Sequence, residues 1–151
     1  MADFVTKVFG EFLTHTPITH LGINRSVHFS VGTEANRNRI GRTLAPIAPW
    51  GEWGTKIEAA PPETRGGFRS LVMQETKANA DVSGHVQVSI QPSLKIPSNA
   101  AIFMNINDEY RWSKSDSVGC ERVIRLLATE FEKSLRYSEW IIDQVMALKG
   151  L

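Results

Sequence analysis

Between His20 and Val31 polar and apolar residues alternate: His20, Gly22, Asn24, Ser26, His28 and Ser30 fall on one parity, and Leu21, Ile23, Arg25, Val27, Phe29 and Val31 on the other. A period of two places the sets on opposite faces of a strand, one apolar and one wet. At about 3.3 Å per residue the strand spans roughly 36 Å. Strands usually run to about five or six residues, so this length predicts the spine of a sheet rather than its edge. Arg25 alone interrupts the apolar parity, which predicts a bulge there or the rim of the buried patch.

Met1 to Leu13 places Phe4, Val5, Val8, Phe9, Phe12 and Leu13 at helical spacing, with Lys7 and Glu11 facing away. This predicts an amphipathic helix that buries its phenylalanines against the sheet or against another chain. Thr33 is placed to cap a short helix through Ile40 and Leu44, ended by Pro46 and basic on its outer face with Arg37, Arg39 and Arg42. Pro46 to Gly67 is dense in Pro and Gly and reads as a loop. Trp50 and Trp53 within it are expected to fold back over a core edge, with a partner contact as the other reading.

Three further strands are expected at Phe68 to Lys77, Gly84 to Pro92 and Ala100 to Trp112, joined by turns at Asn79 to Gly84 and Pro97 to Asn99. Connections this short make at least these three strands antiparallel. From about Ser117 to Lys149 the period becomes helical, with Ser115, Asp116 and Ser117 as capping candidates and Gly150 as a stop. Such a helix is about 48 Å long at 1.5 Å per residue. It is therefore expected either to break near Arg136 to Ser138 or to pack its end on another subunit.

The chain has 151 residues, 42% hydrophobic and 22% charged, with a formal net charge of +1. These values predict one soluble globular domain over residues 1–151 with no bulk attraction to nucleic acid or membrane, the periodicities make it α+β, and the single cysteine makes the cytoplasm the expected location. No apolar run approaches the roughly 18 residues of a membrane span. Cys120 is the single cysteine, which excludes an intrachain disulfide and a multi-cysteine zinc site.

Three short patterns stand out: His15-Thr16-Pro17-Ile18 with Gly22-Ile23-Asn24, Leu44-Ala45-Pro46 leading to Trp50, and Asn105-x-Asn107-Asp108-x-Tyr110 before the last helix. On these the chain resembles a family of uncharacterised bacterial proteins that has no activity assigned. Members carry more sequence before the first helix, including a further strand, so the resemblance implies a shortened form or late start whose first helix has lost its usual cover. The order of four strands and then a long helix also resembles, in topology alone, the export chaperone SecB. That similarity implies antiparallel sheets and helices assembling into oligomers that hold unfolded chains in apolar grooves.

Residues able to do chemistry are few. His20 and His28 share a face but lie about 26 Å apart along an extended strand, too far for one ion. His28 and His85 are expected to meet across strands, where a two-histidine site would still need Glu75 or Glu109. Cys120 falls in the first turn of the last helix, a position that suits either an activated thiol or a small core residue. Asn105 to Asp108 lacks the glycine and spaced carboxylates of a calcium loop. Arg25, Arg37, Arg39 and Arg42, with His20 and His28, form a candidate basic patch without the interleaved aromatics of a nucleic-acid surface.

The sequence therefore predicts a four-stranded, mainly antiparallel sheet packed by an N-terminal helix and a long C-terminal helix. Its expected role is a non-catalytic binding or assembly module, chaperone-like or a subunit of a larger complex, with no cofactor, metal or catalytic residue assigned. Protein partners are expected, as a homo-oligomer or hetero-complex, through Phe4, Phe9, Phe12, Trp50, Trp53, Trp140 and Ile141. Trp140, Ile141, Ile142, Val145, Met146 and Leu148 form a face too wide for the sheet alone, and its second cover would be the same helix or the phenylalanine stripe of a neighbour. The alternative is a metal-dependent enzyme using His20, Asn24, His28 and His85 on the polar face of the sheet.

Overall fold

The computed structural model describes residues 2–61, 67–78, 83–96, 99–112 and 119–150. The expected caps Ser115, Asp116 and Ser117, the turn residues 79–82 and 97–98, and Pro62 and Gly66 lie outside them. The chain is α+β, and the strands among the described residues are β1 (His20–Ser30), β2 (Leu71–Ala78), β3 (Ser83–Pro92) and β4 (Ala101–Arg111). The helices are α1 (Ala2–Lys7), α2 (Glu34–Leu44), α3 (Gly51–Ala59) and α4 (Glu121–Ala147). No described helix is long and apolar enough to cross a membrane.

The sheet is antiparallel with order β1-β4-β3-β2. β1 is thus an edge strand and β4 the spine, the reverse of the expectation drawn from the length of β1. Ile102, Met104 and Ile106 on β4 are all but inaccessible, as a central strand requires. β1 is as long as the neighbour it pairs with, 11 residues each. Hydrogen bonds from Trp112 to the Thr19 carbonyl and from Val31 to the Ala100 carbonyl keep one register from end to end. The bulge expected at Arg25 is therefore absent. Arg25 instead leaves the apolar parity by bonding Glu139 of α4 at 3.0 Å, which marks the rim of the buried patch.

The chain divides into two compact units. The first comprises Met1–Arg25, Gln74–Val88 and Ile106–Asp143. Its core joins Ile23, Tyr110 and Trp112 to Val123, Leu126 and Leu127 of α4, with Val5 of α1 and Ile18, Leu21, Phe131 and Leu135 packed around them. α4 is unbroken, so the break expected near Arg136 to Ser138 does not occur. Ser134 and Ser138 on its buried face are small enough for the helix to lie close to its support. α1 continues as a wider turn over Val8–Phe12, closed by the bond from Leu13 to the Val8 carbonyl.

The second unit comprises Ser26–Met73, Ser89–Asn105 and Gln144–Leu151. Thr33 caps α2 by accepting from the Asn36 amide at 3.1 Å. α3 occupies a stretch expected to be loop. Pro49 sits in a tight turn ahead of α3, where a missing amide costs nothing, and Gly51 adopts φ 58° where that turn meets the helix. Gly54 is there for closeness rather than flexibility, since a Cβ would lie 2.5 Å from the Ile47 carbonyl oxygen. The same glycines and prolines that read as loop punctuation therefore build the entry to a helix.

Candidate functional site

The wet face of the first unit gathers most of the polar candidates around Glu109. The β1–β4 register sets Gly22 opposite Glu109 and Asn24 opposite Asn107, and β3 brings His85 alongside from the other flank. His85 Nε2 lies 3.2 Å from Glu109 Oε2, and the Arg111 guanidinium bonds Oε1 of the same carboxylate. The Arg111 hydrogen bond, then its charge and those of His85 and His20, hold the Glu109 carboxyl below the usual glutamate range, against a smaller upward push from burial. A Cβ at Gly22 would stand 3.0 Å from Asn107 Oδ1, so the glycine gives the Asn107 carboxamide its room. His20 bonds the Thr19 hydroxyl at 2.8 Å.

His28 belongs to a different cluster, in the second unit. Its Nδ1 lies 2.8 Å from the Ser93 hydroxyl, and its ring leans on Phe103 at 4.6 Å. Ser26 donates to Asn105 at 2.7 Å. The register assigns His28 to Phe103 and His85 to Glu109, so the expected meeting of these histidines does not form. Among the described residues no three His, Cys, Asp or Glu side chains converge closely enough to hold a metal ion.

Sequence reasoning missed an ionic cluster on the apolar face. Asp108 is buried, yet Lys77 of β2 bonds its Oδ1, Tyr110 donates to its Oδ2 at 3.0 Å, and the Lys77 ammonium lies 3.9 Å from the centre of the Tyr110 ring. Burial first, and then the charge and hydrogen bond of Asp108, push the Tyr110 phenol well above its ordinary value. The signal was legible: Asp108 shares its parity with Ile102, Met104 and Ile106, and a carboxylate there demands partners.

Cys120 precedes α4 as a packed residue, its sulfur 2.7 Å from the Phe9 carbonyl oxygen and 3.4 Å from that of Thr14. His15 lines the same cleft, a proximity that sequence separation had hidden. Of the arginines of α2, Arg37 bonds Glu34 and Asn38 within the helix, and Arg39 donates to the Lys149 carbonyl.

The apolar candidates are mostly in the open. Phe4 is 72% exposed and Phe12 73%, while Phe9 is partly covered, so the first helix buries only part of the face expected to be hidden. Trp50 and Trp53 are 61% and 57% exposed. They meet each other edge to face at 5.2 Å instead of folding over a core edge. Trp140 is 54% exposed and stacks on Tyr137 at 5.6 Å, whereas Ile141 is half-buried.

No protein-family model matches the chain. Searches of curated proteins and of solved structures gave no match either.

Proposed function

We propose that the chain is a non-catalytic binding or assembly module that works as an oligomer, chaperone-like or as a subunit of a larger complex. The observation that supports this reading is the exposure of Phe4, Phe12, Trp50, Trp53 and Trp140, each more than half open to solvent. Large aromatics bring much apolar area at little conformational cost, and they anchor protein interfaces out of proportion to their number. Light scattering together with apolar-dye binding tests it. Concentration-dependent association, with dye bound by the dissociated form, is expected; a strict monomer that binds no dye contradicts it.

A second reading, an enzyme using the wet face of the sheet, is favoured by the contact between His85 and Glu109. A carboxylate that orients an imidazole is a common arrangement for proton transfer. Metal analysis of the purified protein and of His85→Ala and Glu109→Gln separates the two readings. Stoichiometric metal lost in either variant would favour the enzyme.

A further inference from the structure

We infer that two copies of this chain pair through the outward stripe of α4, antiparallel and about a two-fold axis at Trp140. This deepens the assembly reading and rests on it. Lys133 lies three and four residues before Arg136 and Tyr137, these lie four and three before Trp140, and Asp143 follows Trp140 by three, so all five share one side of the helix. Ser134, Ser138 and Ile142 are the buried residues of the same turns, so the stripe points away from the core.

Two features make the stripe a docking surface for a copy of itself. The first is preorganisation. The Trp140 indole stacks nearly parallel to the Tyr137 ring, with 14° between the planes, and the Tyr137 hydroxyl is tied to the Glu75 carboxylate at 2.5 Å. An aromatic already fixed in place loses little freedom on docking. The second is charge order. Arg136 lies one turn before Trp140 and Asp143 slightly less than one turn after it. In an antiparallel pair centred on Trp140, Arg136 of each copy falls beside Asp143 of the other, within about 1.5 Å of matched register. A parallel pair would set Arg136 against Arg136. The complementarity is therefore to a second copy, in one orientation, and it occurs twice per pair.

Sedimentation velocity of the full chain over a range of concentrations tests this, with circular dichroism confirming the fold of each variant. The wild type should form a dimer. Arg136→Glu and Asp143→Arg should each weaken it about tenfold, since each places like charges together at both contacts. The double variant Arg136→Glu, Asp143→Arg should recover most of the affinity, because the pair is restored with its signs exchanged. Trp140→Ala should leave folded monomers. An association unchanged in Trp140→Ala or in both single reversals, or a double variant no better than the singles, overturns this pairing and leaves the assembly reading standing. A wild type that is monomeric at every concentration overturns the pairing, and if it also binds no apolar dye the assembly reading falls with it.

Discussion

Tyr137 donates its phenolic hydrogen to the Glu75 carboxylate at 2.5 Å, and this bond ties the middle of the long helix to an edge strand of the sheet. The same ring carries Trp140 on its face, so one hydrogen bond steadies the most prominent aromatic pair of the helix.

Tyr137→Phe keeps the ring and removes the bond. Because the bond lies at the surface, the stability loss should be small, on the order of 0.5 kcal/mol. Self-association should weaken several-fold, since Trp140 loses its fixed support. Glu75→Gln, which can still accept the hydrogen bond, should weaken it less. Sedimentation of the three proteins side by side checks the order.

Alkaline stability should report the buried phenol. The pKa of Tyr110 is raised by burial first and by Asp108 next, and that of Tyr137 by its bond to Glu75. Below about pH 10 both phenols are neutral in the folded and unfolded chain, so their contribution is complete there. Above it the unfolded chain ionises first, and the contribution declines as pH rises toward the folded-state pKa. Urea unfolding at a series of pH values should show a steep alkaline fall. Tyr110→Phe should flatten it while costing about 1–3 kcal/mol at neutral pH, because Asp108 Oδ2 loses its donor.

The acid side should report Glu109. Its lowered pKa contributes stability that is complete above the ordinary glutamate value of about 4.3 and is lost as pH falls through the folded-state value. Glu109→Gln should remove that part of the acid limb. His85→Ala should remove a smaller part, since Arg111 supplies the larger influence on the carboxyl. The carboxyl resonance of Glu109, followed by NMR titration, gives the shift directly.

Gly84→Ala should be severe. A Cβ at this position would stand 2.0 Å from the Glu109 carbonyl oxygen, a backbone atom of the central strand that cannot move aside alone. The cost should be about 3 kcal/mol, at the upper end of the overpacking range, and should appear as a lowered midpoint in chemical unfolding. Gly150→Ala, where nothing lies within 4 Å, is the matched control and should change stability little.

Periodicity made the elements themselves legible. Alternation in His20 to Val31 marked β1 and its two faces, and the stripe from Val123 to Val145 marked α4. Strand order was not legible, because alternation describes one strand and says nothing about its neighbour. The length of β1 suggested a central place that β4 holds. α3 was hidden because Pro49, Gly51 and Gly54 are read as breakers, whereas here they serve a turn and a close contact. Of the polar candidates, His20, Asn24 and His85 could be assigned to a wet face from parity alone. That Glu109 would gather them, and that His28 would go to Ser93 and Phe103 instead, depends on register, which only the pairing of strands sets.

The central claim is that this chain works by assembling through its exposed aromatics. Sedimentation equilibrium of the purified wild-type chain, from sub-micromolar to high-micromolar concentration, tests it most directly. The account expects the weight-average mass to rise reversibly from the 16.9 kDa of one chain toward that of an oligomer. A mass that stays at one chain over the whole range, in a protein that binds no apolar dye, would contradict it.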